Sequence, residues 1–544
     1  MNLNQEIIRE ILAKRGIESE EERKEYFAVR PQRTYDPYLL TNMEAGVDRI
    51  LEAIDGGKRI VIYGDYDADG VTSTVVMLKV LRCLTDNVTY YIPSRLEEGY
   101  GLHNESIDRI REVGGEFIIT VDCGSSSLAE IEYARSLGID IVVTDHHNMK
   151  DDPVKELIIN PKAPGDTYPF KGLAGVGVAY KLCLAISRKR EIPRLVLSEV
   201  LEFVAIGTVA DIMPLLDENR SFVKYGLMWM NRGCQNPGLR RLIELSGLDC
   251  RNLTSTNISF GIAPRINAAG RVSDADLGVK LFMAESPEEI EKYCNDMIER
   301  NNLRKKWQEE AYQQCIVKAR NEYQKGDFLL VEAENVHEGI LGIVAGKIKE
   351  ESKRPTVIVT KNGDEYKGTG RSVEKVDIYE MLNRYRDCFI HFGGHRAACG
   401  FTIVPEKLSE LRANLNKDLA EMRSEDPDLF EKEITYDLDL EPEEFTLELA
   451  EELRSFEPCG KDNEPPKFRI TFVVPENWRF LKDDQRYAKF QIGDLDCILF
   501  HDAKKYYDVI QNSEFVDVYG TMEINTWRDQ SRVQLQVSEI TPGM

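Results

Sequence analysis

From residue 41 onward, stretches in which apolar side chains recur every three to four positions alternate with short runs that are apolar almost throughout. The first pattern predicts helices over MEAGVDRILEAIDGG, VTSTVVMLKVLRCL, HNESIDRIREVGG and SLAEIEYARSLG. The second predicts strands over KRIVIYG, VTYYIPS, EFIITVDCG, IDIVVTDHH and VKELIINPK. Strands that are apolar along their length and separated by amphipathic helices form a parallel sheet covered on both faces. In such sheets the reactive groups collect at the carboxyl ends of the strands.

Beyond 172 the pattern turns helical through GLAGVGVAYKLCLAISRKR and LVLSEVLEFVAIGTVADIMPLL. From 286 to 325 it predicts one long helix. Ser286 is an N-cap, Pro287 takes the first helical position, Glu289 fits a capping box, and neither Gly nor Pro returns until Gly326. At a rise of about 1.5 Å per residue this helix spans about 60 Å, which predicts a connector between lobes rather than a core helix. Its basic residues Arg300, Arg304, Lys305 and Lys306 face either a nucleic-acid groove or solvent.

Residues 326 to 425 return to α/β patterning, with strands DFLLVEAE and PTVIVT, helices LGIVAGKIKEE and DIYEMLNRYR, and two glycine-rich turns, KGTGRSV and FGGHRAACGF. After the acidic linker SEDPDLFEKE the chain is mainly β: KFRITFVV, YAKFQIG, DCILF, FVDVYGTMEIN and SRVQLQVSEI, with a helix at about 502 to 512. Five strands and one helix predict a small closed barrel of the OB type, a fold that often holds single-stranded nucleic acid by aromatic stacking. Trp478, Phe480 and Trp527, beside Arg479, Arg528 and Arg532, are the stacking candidates, with the barrel core the expected place of at least half of the aromatics. The predicted class is α/β: a helical segment (1–40), a parallel-sheet domain (41–285), a long helix (286–325), a second α/β domain (326–425) and an OB-like β-barrel (433–544).

Composition changes this picture only a little. A chain of 544 residues exceeds what one core organises, consistent with about three or four domains. A net charge of -24 excludes a protein that grips nucleic acid over its whole surface, though not one with a narrow basic groove. No apolar run reaches membrane-spanning length, and the start is a charged amphipathic helix rather than a signal peptide. Eleven cysteines without a C-x-x-C pair read as scattered reduced thiols, which predicts a cytoplasmic location.

The candidate chemistry sits at the predicted strand ends. The first strand runs into Asp65, Asp67 and Asp69, alternate positions that project the same way from an extended chain and crowd like charges unless a cation sits among them. The next ends carry Asp122 and then Asp145-His146-His147. Oxygen ligands with one or two imidazoles favour Mg²⁺ or Mn²⁺ over a structural zinc. Asp211, alone in the apolar run from Val204 to Leu216, either caps a helix end or adds a further ligand, and a cation is the better explanation. Arg265, Asn267 and Arg271 in PRINAAGR either present guanidiniums to phosphate or pair with nearby carboxylates. Glycines beside Arg371 and Ser372, and again beside His395, would let a ligand approach the backbone closely.

Taken together, DYDADG at 65–70, VDCG at 121–124, DHH at 145–147, GTVADIMPL at 207–215, PRINAAGR at 264–271 and GGHRAACGF at 393–401 resemble the RecJ family of single-strand-specific exonucleases in the DHH phosphoesterase superfamily. The resemblance runs from about 40 to the end of the chain. It identifies 41–285 as a DHH domain, 326–425 as a DHHA1 domain and 433–544 as an OB domain. It implies two Mn²⁺ or Mg²⁺ ions, one held by Asp67 and Asp122 with Asp65 close by, the other by Asp69, Asp122, His146 and Asp211, with Asp122 bridging. His147 would contact the scissile phosphate or position water, and Arg265, Asn267, Arg271 and His395 would orient and neutralise the phosphate. Arg95, Arg371 and Ser372 would form a pocket for a terminal 5′ phosphate. The expected activity is 5′ to 3′ hydrolysis of single-stranded DNA to mononucleotides in recombination and repair. A single-strand-binding protein and a RecQ-type helicase are the partners the family suggests. The superfamily also contains small-molecule phosphodiesterases, such as nano-RNases and cyclic-dinucleotide hydrolases, and non-catalytic scaffolds of replication forks. The long helix and β-rich tail speak against the first of these, and the complete set of ligand types against the second.

Overall fold

The computed structural model describes residues 3–28, 33–95, 98–149, 157–272, 275–431, 433–482, 485–528 and 530–543. Five parallel strands form the first sheet: β1 (Ile60–Gly64), β2 (Val88–Tyr91), β3 (Phe117–Val121), β4 (Asp140–Thr144) and β5 (Ile158–Ile159), in the order β2-β1-β3-β4-β5. β1 and β3 are buried at every residue. One face of the sheet packs Val61, Tyr63, Ile118, Ile141 and Val143 against Ile107 and Ile110 of helix Asn104–Glu112 and Ile131 and Ala134 of helix Leu128–Ser136. The near-continuous apolar runs follow from this double coverage. Within the segment 154–162, expected as one strand, β5 is short and residues 154–156 lie outside the described residues.

The second sheet joins β6 (Leu329–Ala333), β7 (Thr356–Asn362), β8 (Glu365–Arg371), β9 (Phe389–His395) and β10 (Ala398–Ile403) in the order β6-β7-β8-β10-β9. β6 and β7 are parallel across helix Glu338–Ser352, and the remaining neighbours are antiparallel. Two expectations are corrected here. KGTGRSV is not a turn: Gly368 and Gly370 lie within β8, where an added Cβ would come 2.3 Å from the Phe401 ring and 2.7 Å from Ile378. These glycines are needed for packing. The long helix, Pro287–Tyr323, is not merely a connector. Its second half buries Ala311, Tyr312, Cys315, Ile316 and Ala319 in one cluster with Leu329, Val331, Ile340 and Val344. At its start, Ser286 Oγ accepts the Glu289 N–H at 3.2 Å and donates to the Glu289 carboxylate at 3.1 Å.

The third sheet holds the five expected strands and two that were not expected. It comprises β11 (Leu438–Asp439), β12 (Lys467–Val473), β13 (Glu476–Phe480), β14 (Ala488–Ile492), β15 (Leu495–Leu499), β16 (Val516–Trp527) and β17 (Gln530–Pro542), ordered β11-β12-β16-β17-β15-β14-β13. Its strands share a single core, to which helix Leu3–Lys14 adds Ile7, Ile11 and Leu12. Of the three aromatics expected to stack on bases, Trp478 already stacks on Phe490 with centroids 5.0 Å apart and meets Phe480 edge-on. Arg479, Arg528 and Arg532 are exposed, and the Trp527 side chain lies outside the described residues.

The chain divides into two compact units, one of residues 1–91, 101–263 and 433–544, the other of 92–100 and 264–432. The third sheet thus shares a unit with the first. A clasp on Arg220 explains part of this: its guanidinium donates to the carbonyls of Phe456, Glu457 and Pro458 at 3.1 to 3.2 Å and of Tyr26 at 3.3 Å, and stacks 3.8 Å over the Tyr26 ring.

Candidate metal centre and phosphate-binding cavity

β1 ends at Gly64 and helix Ala68–Leu81 begins four residues later, so the three aspartates do not share one extended face. Asp67 is the N-cap, its Oδ1 accepting the N–H groups of Asp69 at 2.9 Å and Gly70 at 3.1 Å. Asp69 stands in the first helical turn. Its two oxygens accept the N–H groups of Gly175 at 2.7 Å and Val176 at 2.9 Å, at the start of helix Gly175–Lys189.

Asp122, directly after β3, has a left-handed backbone with φ of 62°. Among the described residues its buried Oδ1 has no hydrogen-bond partner and lies 3.1 Å from His146 Nε2, which has none either. Asp211, at the C-terminus of helix Leu201–Ala210, places Oδ2 3.4 Å from the same nitrogen, and Asp69 Oδ2 is 3.8 Å away. Potential ligand atoms converge within 4.8 Å in three sets: Asp65, Asp67 and Asp122; Asp69, His146 and Asp211; and Asp122, His146 and His147. Each of these sets is compact enough to hold a metal ion, and Asp122 belongs to two of them.

Asp145 does not join the cluster. Its Oδ1 accepts the N–H groups of His146 at 2.7 Å and His147 at 3.1 Å and pairs with His147 Nδ1 at 2.8 Å, while Oδ2 accepts from Ser125 N. Asn160 ties this turn to its neighbour by donating to Ser125 Oγ and to the His147 carbonyl, both at 2.9 Å. Sequence reading missed Asn160, which carries no motif of its own.

Protonation follows from this crowding. Burial, then Asp211 and Asp67, push Asp69 well above the usual carboxylate range; burial, then Asp69 and Asp67, do the same to Asp122. Burial and Asp67 raise Asp211 to about 7, with His147, Lys162 and Lys461 opposing. The two lysines, unmarked in the sequence, are the nearby cations there. Burial and His147 lower His146 to about 3, leaving the neutral imidazole a metal requires. Burial acts against protonation of His147, but the bond to Asp145 and its charge raise it to about 9. Like charges this deeply buried are stable only when protons or cations neutralise them, and the orphaned Asp122 oxygen and His146 nitrogen suit a hard divalent ion.

The other candidates lie in the second unit. PRINAAGR lies within helix Ala263–Val272. Arg271 there donates to the Gly339 carbonyl at 2.9 Å, and Arg265 is half-buried. Arg304 is braced by its own helix through Asn301 and Gln308, both at 2.8 Å. His395 is exposed at the end of β9, its Nδ1 accepting from Ala397 N at 3.3 Å.

A cavity of about 660 Å³ in this unit is lined by Arg95, Tyr100, Lys367, Arg386, His391 and the backbone of Gly393 and Gly400. Space is open where a Cβ at Gly393 would stand, so here a ligand can reach the strand, as the glycines suggested. Arg371 is close to Arg95, whose charge together with burial depresses its pKa, and donates to the Gly370 carbonyl at 2.8 Å. The buried Ser372 hydroxyl donates to the Val376 carbonyl at 2.7 Å. Lys367, Arg386 and His391 were missed because no motif links them.

The same domains occur in known proteins. The DHH family, N-terminal domain, matches residues 59–208, the DHHA1 domain 325–421 and the RecJ OB domain 436–539. The chain is 35% identical to the single-stranded-DNA-specific exonuclease RecJ of Bacillus subtilis (strain 168), covering 98% of this chain and 67% of that protein. It is also 35% identical to the RecJ of Escherichia coli (strain K12), over 98% and 96% of the two chains. Among solved structures, RecJ from Thermus thermophilus in complex with Mn²⁺ superposes with a TM-score of 0.83 at 27% identity, covering 98% of this chain and 75% of that one. The Mg²⁺ complex of the same protein gives 0.79 at 26%, with coverage of 98% and 74%.

Proposed function

The chain belongs to the RecJ family of single-stranded-DNA-specific exonucleases and is a metal-dependent phosphodiester hydrolase of single-stranded DNA; from that premise we propose that it degrades the strand from its 5′ end to 5′-mononucleotides in recombination and repair. The observation that carries the reading is the convergence of two carboxylate sets around Asp122 and His146. When bound there, two Mn²⁺ or Mg²⁺ ions supply Lewis acidity, acidifying water and neutralising phosphate charge.

The chain's own residues do the rest. Asp67 and Asp122, with Asp65 beside them, would hold one cation; Asp69, His146 and Asp211, together with Asp122, would hold the other. His147, kept protonated by Asp145, donates a hydrogen bond to the scissile phosphate. Arg265, Asn267, Arg271 and His395 bind phosphate oxygens as charge develops. Arg95 and Arg371 receive the terminal 5′ phosphate, with Lys367 and Arg386 adding positive charge to the cavity that Arg95 lines. A small-molecule phosphodiesterase is not favoured, since a dinucleotide makes no use of an OB domain.

Single-strand-binding protein and a RecQ-type helicase are the proposed partners, since one coats and the other exposes the substrate. A cytoplasmic location is supported by eleven cysteines that form no disulfide among the described residues, and no helix among those residues is long and apolar enough to cross a membrane. The test of polarity is digestion of single strands labelled at either end, with and without a 5′ phosphate. A 5′ label is expected in mononucleotide from the first turnovers and a 3′ label only at the end; the reverse order overturns the assignment.

A further inference from the structure

We propose that Gly175 and Gly207 are positioning residues for the metal centre, their bare α-carbons providing the space that the Asp122 and Asp69 carboxylates occupy. The inference rests on the reading of that cluster as a two-cation centre. A Cβ built on Gly175 would lie 2.4 Å from Asp122 Oδ1, 2.6 Å from its Cγ and 2.6 Å from its Cβ, so all three nearest atoms belong to one candidate ligand. The same residue gives its N–H to Asp69 Oδ2 at 2.7 Å. One residue therefore seats two carboxylates, one through a donor and the other through a missing side chain.

Gly207 does the equivalent from helix Leu201–Ala210, which ends at Asp211. A Cβ there would stand 2.4 Å from Thr72 Oγ1, 2.7 Å from Asp69 Oδ1 and 2.8 Å from Val176 Cγ1. Asp69 cannot yield without loosening the 2.9 Å bond from Val176 N. Nor can Asp122 yield easily: it is 2% exposed, and its turn is fixed by the 2.8 Å bond from Thr120 Oγ1 to the Cys123 carbonyl. The relief left to it is rotation of the carboxylate, which changes its 3.1 Å approach to His146.

Backbone conformation does not call for glycine at either place, since neither is among the residues with positive φ. Within helix Leu201–Ala210, helix propensity favours alanine at Gly207. What selects glycine is the pair of carboxylates, and a ligand displaced by even a fraction of an ångström forfeits metal affinity.

The experiment measures Mn²⁺ binding to the full chain by electron paramagnetic resonance and calorimetry after EDTA treatment, with circular dichroism as the check on folding. The parent is expected to bind two ions. Gly175→Ala is expected to keep the parent's dichroism and to lose at least tenfold in affinity for one ion or more. Gly177→Ala, two residues on and 3.3 Å from the nearest Leu173 atom, is expected to bind as the parent does. Gly207→Ala is tested alone and with Thr72→Ala and Val176→Ala, which remove the two contacts that are not to a carboxylate. Binding still impaired in the triple variant supports action through Asp69. Parental affinity in Gly175→Ala and in the triple variant overturns the proposal. Asp122→Asn separates the two ideas: two ions bound at parental affinity in that variant would bring down the cluster reading itself.

Discussion

The carboxylate cluster of the first sheet and the cationic cavity of the second gather like charges by opposite means. Around Asp122 the charges are buried, and each is locked by the local chain: a helix cap at Asp67, a helix start at Asp69, a left-handed turn at Asp122. In the cavity, Arg95, Lys367 and Arg386 come from separate loops and strands and remain in reach of water, and Lys367 pairs with Glu338 of the same lining at 2.6 Å. The difference is one of desolvation. A buried anion must be placed with great accuracy or neutralised, whereas solvated cations tolerate looser support.

The comparison is broken most directly at its buried side. Asp122→Ala is expected to lower turnover of single-stranded DNA by ~10³-fold or more, with circular dichroism unchanged, because Asp122 belongs to one set and lies 3.1 Å from His146 of the other. Next in size is His147→Asn, which keeps a hydrogen-bonding side chain but not the cation paired with Asp145; kcat is expected to fall ~10²-fold with KM nearly constant. Equal losses in both variants' Mn²⁺ binding would mean that His147 is a ligand instead.

Proton linkage sharpens the same side. Asp211 titrates at about 7 in the metal-free protein, and Asp69 and Asp122 are also raised, so binding of Mn²⁺ displaces protons. Calorimetry should show apparent affinity rising with pH through about 7. An acid whose folded pKa lies above its unfolded value contributes stability that is present at low pH and lost as pH climbs through the folded value. The EDTA-treated protein should therefore melt lower at pH 8 than at pH 5, and Mn²⁺ should cancel the difference.

The cavity predicts smaller effects of a different kind. Arg386→Ala should raise KM for single strands ~10-fold and reduce the slope of log affinity against log salt by about 0.7, the signature of one lost phosphate contact. Ser372→Ala should leave KM untouched and cost about 1 kcal/mol of stability, because its hydroxyl serves Val376 rather than a ligand. A rise in KM on that change would restore Ser372 to the pocket.

The same contrast explains what could be read in advance. The strands of the first sheet and their reactive ends were legible because burial on both faces writes unbroken apolar runs, and because buried ligands cluster in short segments such as 65–69 and 145–147. KGTGRSV was misread since a glycine clearing an aromatic ring looks, in sequence, like one making a turn. β11 and β13 were missed because short edge strands that are only half-buried carry little pattern. Arg386 could not be found at all, and Lys367 and His391, although they open or adjoin the two glycine-rich stretches, carry no mark of the strand pairing that brings them together.

The seat of Ile7, Ile11 and Leu12 in the core of the third sheet bears on how the chain is made. The helix is covered by strands that are made long after it. At about 5–20 residues per second, its apolar face waits on the order of 25–105 s for residues 438–542 to appear. For that interval the nascent chain carries an amphipathic helix without its partner, and chaperones that read exposed apolar stripes have a defined window in which to hold it.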